Sequence, residues 1–140
     1  MKQEFFNLQV NTNGQKLYEF TDHTLKWIEK NKFKNGIINL SIQHTSASLI
    51  VQENADPDVQ TDLINYFNSL APMDNKLYIH NSEGKDDMPA HIKSAITNNQ
   101  ISLSVKNGQL LLGTWQGIYL FEHRLNPHTR IIIHHFFGEI

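Results

Sequence analysis

Polar side chains with no evident structural role concentrate in a few short stretches of the sequence. The stretches are residues 44–46, 53–56, 80–91, 114–116 and 122–124. Three histidines, His44, His80 and His91, lie in or beside them, and imidazole nitrogens bind zinc or nickel more readily than magnesium. We predict that these three rings hold a divalent metal ion, with a carboxylate such as Glu53 or Asp86 completing or orienting the site.

Chance clustering of histidine is the competing interpretation. The sequence has eight histidines in 140 residues, so some of them fall close together without a shared role. It contains no compact zinc motif such as HExxH. Each ring would then only hydrogen-bond to a neighbour, and we assign this role by default to the other five histidines.

Carboxylates near two predicted helix starts have two alternative roles. Asp56 and Asp87 stand before prolines, where a side chain that caps free backbone amides is common. Glu53 and Asp86 precede these caps and need no structural role there. They are therefore candidates for acid–base chemistry.

Arg124 and the segment 113–117 are candidates for binding an anion. The guanidinium of Arg124 can bind a phosphate through two parallel hydrogen bonds, or it can pair with Glu122 two residues earlier. The glycines at 113 and 117 can bring backbone amides close to a ligand, or they can simply shape a turn. The residues alone leave both pairs of alternatives open.

Composition excludes several functional classes. The absence of cysteine removes disulfides, thiolate catalysis and cysteine-ligated zinc. A net charge of −2 with scattered lysines and arginines argues against nucleic-acid binding. No apolar run approaches the roughly 20 residues that a membrane span needs, and no signal-peptide core is present. We therefore expect a cytoplasmic protein without a membrane partner.

Hydrophobic periodicity predicts the elements that position these residues. Strands are predicted at 5–10, 37–42, 48–52, 101–105, 110–112, 117–121 and 131–137, with a turn at 11–14. Helices are predicted from 21–22 with Leu25 and Ile28 inward, from Pro57 to about Ser69, and after Asp87 with Ile92, Ala95 and Ile96 inward. We expect one α+β domain over residues 1–140, with mixed or antiparallel sheets in a sandwich-like core and a few helices.

The apolar C-terminal strand predicts an assembly of several chains. The run Ile131–Ile133, followed by Phe136 and Phe137, puts large side chains on both faces of this strand. A small domain alone can hardly cover both faces, so we expect a homotrimer.

Four longer segments of the sequence form extended motifs. They are HTSASL at 44–49, ENADPDV at 53–59, GKDDMPAHIKS at 84–94 and GTWQGIY at 113–119, together with the final Gly138–Glu139. These segments resemble the YjbQ family. Lys85 and His134–His135 depart mildly from the family pattern. The resemblance implies an α+β fold, a homotrimer and a weak thiamine-phosphate synthase activity. This activity joins hydroxymethylpyrimidine diphosphate to thiazole phosphate and releases pyrophosphate.

The resemblance also marks particular residues, which are His44, Thr45, Ser46, Glu53, Asn54, Asp56, His80, Asp86, His91, Gln116, Glu122 and Arg124. Among them we predict metal ligands at His44, His80 and His91, and catalytic residues at Glu53, Asp86 and Arg124. The predicted substrate-binding residues are Thr45, Ser46, Asn54, Gln116 and Glu122. Three functions stay open at this point, each with a small phosphorylated molecule as the expected ligand. They are a transferase, a hydrolase in which a metal ion activates water with Glu53 as the base, and a non-catalytic ligand-binding trimer.

Overall fold

The computed structural model describes all 140 residues, Met1–Ile140. The helices are α1 (Thr21–Asn31), α2 (Pro57–Leu70) and α3 (Asp87–Ile96), with a 3-10 turn at Asn75–Leu77. The strands are β1 (Lys2–Asn13), β2 (Lys16–Glu19), β3 (Asn35–Ile42), β4 (Ala47–Glu53), β5 (Gln100–Lys106), β6 (Gln109–Leu110), β7 (Gln116–Glu122) and β8 (Pro127–Glu139).

The strands form two antiparallel sheets that enclose the main core. The larger sheet has the order β1-β8-β3-β5-β6 and the smaller one β2-β7-β4. Ile38, Leu40 and Ile132 of the larger sheet join Leu49 and Leu120 of the smaller one in a single buried cluster. The predicted α+β class with antiparallel sheets is confirmed.

Helix α2 covers the outer face of the smaller sheet. Its Leu63, Ile64 and Phe67 pack against Tyr119 and Phe121. The helix begins as the sequence predicts, because the side chain of Asp56 accepts a hydrogen bond from the amide of Asp58 at 2.9 Å. This helix and its apolar stripe were readable from the sequence, since cap, proline and periodicity all agree.

The buried faces of α1 and α3 differ from prediction. In α1 the buried residues include Trp27 and Ile28, whereas Leu25 is exposed. In α3 the helix buries Ala90 and Lys93, whereas Ile96 is exposed. The predicted inward face of α3 is wrong because the buried residues of this helix include the charged Asp87 and Lys93. Apolar periodicity does not reveal a buried face of this kind. None of the three helices has the length and apolar character needed to cross a membrane.

Two strand predictions are also corrected. The turn predicted at 11–14 is wrong for most of its length, because β1 continues to Asn13 and the chain reverses at Gly14, whose φ is +93°. The four-residue strand β2 follows and was missed. Strand β8 lies inside the larger sheet, between β1 and β3, so only one of its faces lacks cover.

Candidate functional site

Two histidines and one aspartate converge where α3 begins. Oδ2 of Asp87 lies 2.7 Å from Nε2 of His80 and 3.2 Å from Nε2 of His91. The three side chains each offer a ligand atom, and these atoms lie within 4.8 Å of one another. Asp87 and His91 share one face of α3 because they are four residues apart, while His80 comes from the loop before the helix. We call these three residues the His80–Asp87–His91 cluster.

The ring of His91 is held between two acceptors. Its Nδ1 donates to the carbonyl oxygen of Thr45 at 2.9 Å, so its Nε2 meets the Asp87 carboxylate from the other side. A neutral imidazole has only one N–H. The arrangement is therefore satisfied either by a second proton on His91 or by a cation between Nε2 and Oδ2.

Arg124 holds the carboxylate of Asp87 on the side away from the two imidazole rings. Its Nη1 donates to Oδ1 of Asp87 at 2.7 Å, its Nε to Oδ2 of Asp86 at 2.9 Å, and its Nη2 to the carbonyl oxygen of Glu83 at 3.0 Å. These bonds leave Oδ2 of Asp87 facing the two rings. All three arms of the guanidinium are thus engaged within the chain.

Both aspartates are held in the charged form. Burial raises the pKa of Asp86, but hydrogen bonds from the amide of Leu125 and from Arg124 outweigh it, and the net pKa is lowered. Burial also raises the pKa of Asp87, and the hydrogen bond from His80 and the charges of His91 and Arg124 bring it below its ordinary value. A carboxylate that stays ionised near neutral pH is available as a metal ligand.

The structure corrects the roles that the sequence predicted for Asp86 and Asp87. Asp87 is the first helical residue and no cap. Asp86 occupies the cap position, but its side chain makes no capping hydrogen bond and binds Arg124 and the amide of Leu125 instead. Asp86 therefore positions Arg124, whereas Asp87 faces the rings.

A pocket adjoins the cluster on the His91 side. It has a volume of about 330 Å³. The residues that line it are His44, Thr45, His91, Ser94, Ala95, Thr97 and Asn99. Two predicted site residues, His44 and Thr45, thus lie beside His91 although they are almost 50 residues away in the sequence.

His44 lies outside the cluster, so the predicted three-histidine ligand set is corrected. Its Nε2 accepts from the amide of Ile131 at 3.1 Å, and its Nδ1 lies 3.5 Å from Nη1 of Arg130. Burial and the charge of Arg130 lower its pKa. With both ring nitrogens facing donors of the chain, His44 presents no free ligand atom, and Asp87 takes the third position.

The profile of the family described as UPF0047 protein YjbQ-like matches residues 6–139. The chain belongs to this family. A UPF0047 protein of Synechocystis is 47% identical over 133 residues, which cover 95% of this chain and 90% of the relative. The UPF0047 protein YjbQ of Salmonella typhimurium is 47% identical over 106 residues, 76% of each chain.

Two solved structures share the fold of this chain. A YbjQ-like protein of unknown function from Sulfolobus solfataricus superposes with a TM-score of 0.86 at 22% identity, covering 99% of this chain and 100% of the other. A Clostridium acetobutylicum protein superposes with a TM-score of 0.78 at 26% identity, covering 98% and 100%.

Glu122 and Ser46, predicted to bind substrate, instead lie in a buried network of this YjbQ-family chain. Glu122 is fully buried and accepts hydrogen bonds from Arg130 at 2.6 and 2.8 Å and from Thr12 at 2.6 Å. Arg130 also donates to Oγ of Ser46 at 3.0 Å. Both carboxylate oxygens of Glu122 and the hydroxyl of Ser46 are thus engaged by donors of the chain, so the structure gives both residues a structural role. The guanidinium of Arg124 does not pair with Glu122, because it binds Asp86 and Asp87.

Arg130 is not among the residues that the sequence predicts for the site. Its burial is encoded in the alternation of β8, in which residues 130, 132, 134 and 136 all face inward. A charged residue in phase with an apolar series was the available signal, and its partner Glu122 ends the preceding strand.

Glu53, Asn54 and Gln116 lie at the far end of β4. At about 3.3 Å per residue, the seven-residue strand separates Glu53 from the Thr45 end by roughly 20 Å. Within one chain these residues contact one another, since Nδ2 of Asn54 donates to the carbonyl oxygen of Gln116 at 3.4 Å. Glu53 is therefore not the carboxylate beside the cluster. That position belongs to Glu83, whose Oε2 lies 3.7 Å from Nε2 of His80.

Two of the histidines set aside by default are structural. Nε2 of His123 lies 2.9 Å from Oγ of Ser48, and Nε2 of His134 lies 2.8 Å from Oγ1 of Thr24. Burial lowers the pKa of His123 to about 3 and that of His134 to about 4. Both rings are neutral core residues.

Proposed function

We propose that the His80–Asp87–His91 cluster binds a divalent ion, zinc or nickel rather than magnesium, and that the chain uses it to hydrolyse a small phosphorylated molecule. One observation carries the proposal. Three potential ligand atoms, two of them imidazole nitrogens, lie within 4.8 Å of one another. Two imidazoles and one carboxylate form a ligand set that suits zinc.

The surroundings of the cluster support metal binding. Ligating histidines usually donate their second N–H to a carbonyl or carboxylate, and ligating carboxylates are themselves hydrogen-bonded. His91 makes such a bond to Thr45, and Asp87 makes one to Arg124. These contacts set the tautomer of His91 and the direction of Asp87 before any ion arrives.

The exposure of the cluster favours catalysis over a closed structural site. The side chain of His80 is 44% exposed and that of His91 is 31% exposed. Catalytic zinc sites have three protein ligands and one open position, whereas structural sites use four. An ion held by these three residues would lower the pKa of a bound water molecule and polarise a phosphoryl oxygen. Glu83, which is 63% exposed, is placed to accept a proton.

The thiamine-phosphate synthase activity is the second candidate, and it rests on the family resemblance. A diphosphate leaving group needs cationic groups to neutralise its charge. The guanidinium of Arg124 is already shared between Asp86 and Asp87, which leaves this task to the ion. We therefore expect slow, metal-dependent formation of thiamine phosphate at best.

An assay with two substrate sets tests the proposal. The zinc-loaded chain is incubated with p-nitrophenyl phosphate, and separately with the pyrimidine diphosphate and the thiazole phosphate. We expect hydrolysis of the ester that is lost in Asp87→Asn and His91→Ala and retained in His23→Ala, an exposed histidine of α1 outside the cluster and its adjoining pocket. Thiamine-phosphate formation without ester hydrolysis would favour the transferase. No zinc-dependent turnover in either assay would contradict an enzymatic role.

A further inference from the structure

The pocket beside His91 lies within reach of a molecule bound at the cluster. Ser94 and Ala95 follow His91 by three and four residues on the same face of α3, about 5 Å along the helix. The volume of about 330 Å³ falls in the range of small-molecule sites, roughly 300–1,000 Å³. One ligand can therefore occupy both the cluster and the pocket.

Two of the hydroxyl groups that line the pocket offer only hydrogen-bond acceptors to a ligand. Oγ of Ser94 donates to the carbonyl oxygen of Ala47 at 2.8 Å, and Oγ1 of Thr97 donates to that of Lys93 at 2.7 Å. A hydroxyl has one hydrogen and two lone pairs, so Ser94 and Thr97 have only lone pairs left. Their ligand must supply the hydrogens.

No lysine or arginine lines the pocket, and Arg130, Lys93 and Arg124 of neighbouring segments are engaged within the chain. Nη2 of Arg130 binds Glu122 at 2.6 Å, and Nζ of Lys93 donates to Asn68 at 2.6 Å. Arg124 is bound by Asp86 and Asp87. Anionic oxygens in the pocket would face the lone pairs of Ser94 and Thr97 without a compensating charge. The pocket is therefore suited to an uncharged group with many hydrogen-bond donors.

We propose that the substrate is a phosphorylated polyol or sugar, with its hydroxyl groups in the pocket of Ser94, Thr97 and Asn99 and its phosphate at the His80–Asp87–His91 cluster. Hydroxyl groups of the ligand donate to Ser94 and Thr97. They both donate to and accept from the side-chain amide of Asn99, which makes no hydrogen bond within the chain. The inference rests on the proposed metal site, since the ion binds the phosphate.

Calorimetry on the zinc-loaded chain tests whether the phosphate binds at the cluster and the hydroxyl groups bind in the pocket. The probes are ribose 5-phosphate, inorganic phosphate and ribose. We expect ribose 5-phosphate to bind about tenfold more tightly than inorganic phosphate, as two hydrogen bonds of ordinary strength provide. The double variant Ser94→Ala/Asn99→Ala should lose this preference and bind inorganic phosphate as the wild type does. Ser102→Ala, an exposed serine on β5, should keep the preference.

The single variant Asn99→Ala keeps the inference testable if the double variant fails to fold. The side chain of Asn99 is exposed and makes no internal hydrogen bond, so Asn99→Ala should fold normally and lose about threefold in ribose 5-phosphate affinity. Equal affinity of the wild type for ribose 5-phosphate and phosphate, or an unchanged preference in the variants, would overturn the inference. Zinc-independent binding of both phosphates would contradict the metal site. If binding were independent of zinc in this way, loss of the preference for ribose 5-phosphate in Ser94→Ala/Asn99→Ala would still support the hydroxyl-binding pocket.

Discussion

Arg124 determines how Asp87 meets the two imidazole rings. Lysine keeps the charge but replaces a planar fork by a single ammonium group, so Arg124→Lys cannot hold Asp86 and Asp87 together. We predict a 10- to 100-fold loss in zinc affinity, the usual effect of losing a group that orients a ligand. Competition with a chromophoric chelator measures it. Lys85→Ala, an exposed charge in the same loop, should bind zinc as the wild type does.

The buried His134 should make the free energy of unfolding fall at acidic pH. Its pKa is lowered to about 4 by burial, whereas an unfolded histidine takes up its proton near 6.5. As pH falls below about 6.5 the unfolded chain is protonated first, so stability is present above that pH and is lost down to about pH 4. The loss is about 3 kcal/mol. Urea unfolding at pH 7 and pH 4.5 should show a smaller loss in His134→Gln, and an equal loss would contradict this account.

At the scale of elements, β3 and β8 approach closely through two facing glycines. Gly36 pairs with Gly138, and the Phe136 ring lies against both. A Cβ at Gly138 would collide with the carbonyl oxygen of Asn35 and lie 2.8 Å from that ring. We predict that Gly138→Ala costs about 1–3 kcal/mol in the free energy of unfolding.

Gly113→Ala is the matched control for this prediction. There the nearest atoms belong to the flexible side chain of Gln116, at 3.3 Å and beyond, so a methyl group can be accommodated by a small movement. The cost at Gly113 should be clearly smaller. Equal unfolding free energies for Gly138→Ala and the wild type would show that β3 and β8 can separate without penalty.

The elements that the sequence revealed are those with an apolar period of their own. Strands β3, β4, β7 and β8 and helix α2 were found in this way. Strand β2 was missed because four residues show no period. The inward face of α3 was mistaken because its buried residues include Asp87 and Lys93, whose partners come from distant segments.

The same limit applies to the candidate site. His80 and His91 were predicted as ligands, and their rings do converge. Asp87 was not predicted as a ligand, because its position before a helix is typical of a capping residue. His44 was excluded from the cluster by Arg130, which lies 86 residues away and was not noticed. Side-chain partners of this kind depend on strand register, and local sequence does not specify which strands pair.

At the scale of the whole molecule, one face of the larger sheet has no cover. Phe5, Ile37 and Phe137 lie on it with 64%, 53% and 46% of their surface exposed. Ile37 of β3 lies opposite Phe137 of β8, and Phe5 of β1 lies opposite His135, two residues before Phe137. The helix α2 lies on the other sheet. Such a face supports our proposal of a homotrimer.

Light scattering after size exclusion tests the assembly. We expect a mass three times 16.2 kDa for the wild type and a smaller mass for Phe137→Glu, because a buried charge would cost more than the interface gains. Ile96→Glu, on an exposed position of α3, should remain trimeric. A wild-type mass of 16.2 kDa would contradict the proposal.

The most direct test of the account is the position of zinc in crystals grown with the metal, located by anomalous scattering at the zinc edge. We predict one strong peak at about 2.0–2.2 Å from Nε2 of His80, Nε2 of His91 and an oxygen of Asp87. The peak should be absent from crystals of Asp87→Asn. A zinc peak at other residues, or none at saturating metal, would show that these three side chains do not form the metal site.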